Sequence, residues 1–165
     1  MTGLATLGAD LPDIRPGCGA KNIEPGVIED LLVRHGETGL ASRKIELGEA
    51  EDEIEALFDR GWSDGLPLVP PTEARVLRML NGTTRDPKEV VGKMPSDLAD
   101  CTIEKIAVNA VMAGCKPEYL PVVIAAVEAI LEDPFALHGV LATTMYVGPV
   151  LVVNGPIRRH IGMNS

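Results

Sequence analysis

Thr102-Ile103-Glu104-Lys105-Ile106-Ala107-Val108-Asn109-Ala110-Val111-Met112-Ala113-Gly114 is the most regularly patterned stretch of the chain, and its reading decides the fold. Ile103, Ile106, Ala107, Ala110, Val111 and Gly114 fall on one helical stripe at i, i+3, i+4 spacing. Thr102 supplies an N-cap hydroxyl. The small residues Ala107, Ala110 and Gly114 let a neighbouring element approach closely. Glu104, Lys105 and Val108 stand off the stripe, so both charges are expected at the surface. Asn109 stands beside it, where a buried amide needs several partners.

Outward from this helix the pattern continues. Pro117 restarts the chain after Cys115-Lys116, and residues 120–131 are apolar nearly all round, with Glu128 the one charge. Such a helix is expected to be buried on most sides, as a central helix or an oligomer contact. Upstream, Thr72 caps a helix ending at Asn81-Gly82, and Ala50, Ile54, Leu57 and Phe58 mark another that ends before Gly61. Val27, Ile28, Leu31 and Leu32 mark a short one that ends near Gly36. Downstream, residues 143–153 favour strand, with 150–153 expected to be buried on both faces. That strand needs neighbours the chain hardly offers, so another chain is expected to complete the sheet. Pro156 opens a last short helix. The expected fold is α/β and helix-rich, with several helices packed on a small, partly shared sheet. Residues 1–47 read as an extended arm carrying one short helix, and 48–165 as the core.

Composition narrows the function. The chain has 165 residues, with 15 Lys and Arg against 24 Asp and Glu, a net charge of −9. That balance argues against nucleic acid, whose phosphates require clustered bases. No stretch is long and apolar enough to span a bilayer and the N-terminus carries no secretory signal, so no membrane role is expected, and three cysteines that cannot all pair point to a reduced, cytoplasmic setting. Cys18, Cys101 and Cys115 match no zinc spacing, and no metal site is expected. No dinucleotide or phosphate-loop motif occurs, and the cofactor is left unknown.

Two segments concentrate chemistry. Arg60-Gly61-Trp62-Ser63-Asp64-Gly65-Leu66-Pro67 places the only tryptophan and an acid on a stiff loop between helices. In the plainer reading Trp62 covers the core and Asp64 caps the local turn. Asn154-Gly155-Pro156-Ile157-Arg158-Arg159-His160 joins the expected strand to a helix start, where Arg158 would clamp a carboxylate. The candidate site therefore comprises Trp62, Asn109, Asn154 and Arg158 for binding an anionic small molecule. Asp64 or Cys115 would be the proton-transferring or reactive group, with Cys115 next to Lys116. His138 beside Thr143-Thr144 is a weaker acid/base signal. Cys18, between two glycines, reads as an accessible thiol.

The stretches Gly61-Trp62-Ser63-Asp64-Gly65-Leu66-Pro67-Leu68-Val69-Pro70-Pro71-Thr72, 102–119, Asn154-Gly155-Pro156-Ile157 and 161–165 resemble a family of uncharacterised bacterial proteins. The resemblance spans residues 41–165. It implies association with small proteins bearing a Cys- or selenocysteine-Gly-Ser-Cys motif, similar to a subunit of glycine and D-proline reductases. Thiol-linked metabolism, a reductase or a lyase, follows as an expectation. This chain has no Gly-Ser-Cys motif, so such thiols would lie on a partner chain or on the remainder of the same precursor. The expected function is a subunit of a small-molecule metabolic enzyme, oligomeric, with its active site at a subunit interface. The alternative is a non-catalytic assembly module that docks a catalytic partner through its apolar helix.

Overall fold

The computed structural model describes residues 26–48, 51–95 and 97–163. Cys18 lies outside them, as do Ala50, Asn164 and Ser165. Seven α-helices and one two-stranded hairpin occur among the described residues, in agreement with a helix-rich α/β fold. The helices are α1 (Val27–Arg34), α2 (Glu53–Asp59), α3 (Glu73–Leu80), α4 (Ile103–Met112), α5 (Leu120–Leu131), α6 (Leu137–Ala142) and α7 (Pro156–His160). The strands are β1 (Val90–Lys93) and β2 (Asp100–Thr102).

Helix α4 is the hub. Ile103, Ile106, Ala107, Ala110 and Val111 are all buried, so the expected stripe is the core face. Val76, Met79 and Leu80 of α3 and Leu120 and Ile124 of α5 close around it. The Thr102 hydroxyl accepts from the Lys105 amide at 3.3 Å, as the cap pattern requires. Loop carbonyls take two more first-turn amides, Ile103 to Glu89 and Glu104 to Pro87. At the other end Gly114 takes a left-handed conformation (φ 73°) that a side chain would strain. The Gly114 and Cys115 amides then fold back on the Val111 and Ala110 carbonyls. Gly114 itself is exposed, so the stripe stops one residue short of its expected end.

The strand expectation needs correction. Residues 143–153 lie outside any helix or strand, and Val150, Leu151 and Val152 are 86, 59 and 79 % exposed rather than buried. Strand preference is realised only against a neighbour, and none of the described residues pairs with this segment. The hairpin forms instead at β1 and β2, antiparallel, with Val90 opposite Thr102 and Lys93 opposite Asp100, and an irregularity beside Gly92. A Lys93–Asp100 ion pair at 2.6 Å crosses it. Strands this short carry no legible alternation.

Helix α5 is also less enclosed than its composition suggests. Leu120 and Ile124 are buried, while Pro121, Ala125, Glu128 and Ala129 are exposed. It packs on α4 and on β1, where Leu131 Cδ1 lies 2.9 Å from the place a Gly92 Cβ would take. Arg85 bridges Glu89 and Glu128, joining the hairpin's lead-in to α5.

Helix α1 lies against α3, and Asn81 donates to the buried Glu29 carboxylate at 2.7 Å. Val27 and Ile28, two of the residues that mark this helix in the sequence, face water, while Leu31, Leu32 and Val33 are half-buried.

The tightest backbone approach is at Gly82, where a Cβ would collide with the Pro117 carbonyl. Neither side is a flexible side-chain tip, so relief requires moving the turn between α4 and α5. Gly82→Ala is expected to lower stability by about 1–3 kcal/mol, the usual cost of overpacking. Urea denaturation measures it, and an unchanged midpoint would contradict the packing described.

Candidate functional site

A cleft of about 730 Å³, well inside the range of small-molecule sites, opens on α4. Its floor is the second face of α4. Glu104, Val108 and Met112, spaced i, i+4, i+8, line it together with Asn109. One wall is α2 with Ala56, Leu57, Arg60 and Trp62, and another is Pro70, Pro71, Thr72, Glu73 and Val76. The third wall is the extended segment from Leu40 to Leu47.

Local chemistry sets each wall. Asp52 caps α2 by accepting from the Ile54 and Glu55 amides at 2.8 and 3.0 Å. The helix ends at Gly61 (φ 70°), and the Trp62 amide returns to the Leu57 carbonyl at 3.1 Å. That closure seats Trp62 beside Leu57 in the cleft wall, with its side chain still partly open to water. Past the loop, the Val69 amide donates to the Met112 carbonyl at 3.1 Å, which fastens the Pro70-Pro71 wall to the end of α4. The Thr72 hydroxyl caps α3 through the Arg75 amide at 3.4 Å.

The segment 40–47 is held by two carboxylates. Glu104 is 2 % exposed, contrary to the surface position expected for it. It accepts the Ala41 amide at 2.9 Å and the Ser42 amide at 2.7 Å. Burial opposes its charge, but the Ser42 hydroxyl, these two amides and the Lys88 charge outweigh burial and hold its pKa below the ordinary value of 4.5. Glu73 accepts from Thr38 Oγ1 at 2.9 Å and pairs with Lys44 at 2.6 Å. The Lys44 hydrogen bond is the main reason its pKa is lowered. The face of α4 that a helical wheel assigns to water is thus covered by a chain segment that has no period of its own.

Of the residues the sequence proposes, the cleft unites Trp62 and Asn109. Asn109 is exposed rather than buried, and its side-chain amide donates to the Lys105 carbonyl at 2.8 Å. Asp64 is exposed and accepts from the Leu66 amide at 3.3 Å, a local turn. Ser63 donates to the Leu66 carbonyl in the same turn. Cys115 is half-buried against the core and lines no part of the cleft. Burial raises the pKa of Cys101, the other described thiol, and the nearby Lys105 charge only partly opposes this. Asn154 is exposed and Arg158 half-buried, both outside the cleft, and no buried strand stiffens their turn. His138 lies in α6, and past the end of that helix the Met145 amide donates to Thr143 Oγ1. Among the described residues no group of three His, Cys, Asp or Glu side chains is placed to hold a metal.

Glu73, Lys44 and Arg43 also line the cleft and are not singled out by the sequence, and Glu104 is there assigned to the surface. The available signal is the i, i+4, i+8 row of Glu104, Val108 and Met112, a second stripe beside the core stripe.

A carboxylate with a lowered folded pKa stabilises the fold above its unfolded pKa, and that contribution is lost as pH falls through the folded value. Stability should therefore decline as pH drops below about 4.5, and Glu104→Gln should flatten that decline while costing about 2 kcal/mol at neutral pH. Thermal melts of both proteins from pH 7 to pH 3 check this, and parallel curves would contradict it.

Comparison of the chain with models of known protein families, with curated proteins and with solved structures finds no match, so the geometry of the cleft carries the functional reading.

Proposed function

We propose that this chain is a subunit of a small-molecule metabolic enzyme and that the cleft on α4 holds the ligand. The observation that carries this reading is the meeting of Trp62 and Asn109, from segments far apart in sequence, around an apolar cavity of ligand size. Trp62, Leu57, Val108 and Met112 offer an apolar bed for the body of a metabolite. In this reading Arg43 meets the anionic group, while Arg60 and Lys44 in the same lining pair with Glu51 and Glu73. Neither Asp64 nor Cys115 lines the cleft. In this reading the reactive group, a redox thiol of a reductase or lyase, comes from a partner chain that meets the cleft mouth. The resemblance to proteins associated with Gly-Ser-Cys partners supports that thiol chemistry. No described helix is long and apolar enough to cross a membrane, which supports a cytoplasmic enzyme.

A second reading, a non-catalytic assembly module, is favoured by the exposed apolar residues 145–147 and 150–152. The two readings separate by what travels with the protein. Native mass spectrometry of the complex purified from its cells should show a bound small molecule, and Val108→Tyr, which fills the cleft floor, should abolish it. Trp62→Ala should weaken binding by about 1–2 kcal/mol, the size of a lost aromatic contact. A partner protein retained without any small molecule would favour the module instead.

A further inference from the structure

Two surfaces of this chain complement each other and remain apart in the structure. The first is the outer face of α2. Ile54 and Phe58, 47 and 56 % exposed, form a groove of about 400 Å³ with Leu66 and Pro67. Glu55 and Asp59, both exposed, edge the same groove. The second is the C-terminal tail. Residues 143–153 carry no charge and six large apolar side chains exposed by half or more, and Arg158, Arg159 and His160 follow in α7.

We infer that the tail of one copy docks into the α2 groove of a second copy, so that the protein assembles with itself by exchanging tails. Spacing supports the fit. In an extended segment Val150 and Val152 project from one face, about 6.6 Å apart. Ile54 and Phe58, one helical turn apart, present side chains at about 5–6 Å spacing. Glu55 and Asp59 repeat that spacing as a parallel acidic row, the charge complement of Arg158 and Arg159. Each copy holds one tail and one groove, and its own tail does not occupy its own groove. Reciprocal exchange between two copies satisfies both and closes a two-fold dimer.

Sedimentation equilibrium of the full chain, with circular dichroism to confirm that each variant is folded, tests the exchange. The wild type should be a dimer at micromolar concentration. Glu55→Lys with Asp59→Lys, or Arg158→Glu with Arg159→Glu, sets like charges together and should weaken dimerisation by about 100-fold. Mixing these two variants restores opposite charges at both tail–groove contacts and should yield a heterodimer, and a chain carrying all four substitutions should dimerise again. A monomeric wild type overturns the inference. So does a dimer indifferent to either reversal, or a folded mixture that stays monomeric.

Discussion

A carboxylate almost wholly withdrawn from water, at the first turn of α4, is the constraint on which the cleft depends. Moving Glu104 out of solvent costs several kcal/mol, and that cost is tolerable only with donors in place. The Ala41 and Ser42 amides meet that need, with contributions of about 1.5–3 kcal/mol for each bond to the charge. The start of α4 adds its own partial positive charge. The exchange works in both directions. The carboxylate needs the segment 40–47, and that irregular segment is held in turn by Glu104, by the Lys44–Glu73 pair and by Leu40 against the core. Without it the cleft loses a wall.

Helix α4 therefore serves two faces at once. Its small and β-branched stripe, Ile103, Ile106, Ala107, Ala110 and Val111, makes the core with α3 and α5. Its adjacent row, Glu104, Val108 and Met112, makes the cleft floor. A rigid core element that also floors the site lets ligand contacts inherit the order of the core. The walls are fixed less by burial than by caps and turns: Asp52 before α2, Gly61 after it, Thr72 before α3, and the Val69–Met112 bond between loop and helix.

Much of this was legible in the sequence where local chemistry decides the outcome. Thr72 and Thr102 cap as their positions predict, and the α4 stripe is the core. The hairpin was not legible, because four and three residues leave no alternation to read and Gly92 is chosen for the approach of α5 rather than for strand. Residues 143–153 look like strand and are not, because β-branched side chains record a preference that only a neighbouring strand can fulfil. Glu104 and Asn109 exchanged their expected environments for one reason. A helical wheel distinguishes the core from everything else, and it cannot tell water from a covering segment with no period. Trp62 was singled out for its loop and does line the cleft, whereas Asp64, in the same loop, closes a turn.

The buried Glu104 charge holds the segment 40–47 against α4. Amide hydrogen exchange followed by NMR at Ala41 and Ser42 reads that contact directly. At neutral pH both amides should be strongly protected, and in Glu104→Gln their exchange should accelerate by one to two orders of magnitude, while core amides such as Ala110 keep their protection. Unprotected Ala41 and Ser42 amides in the wild-type protein, or protection that survives Glu104→Ala, would contradict the account.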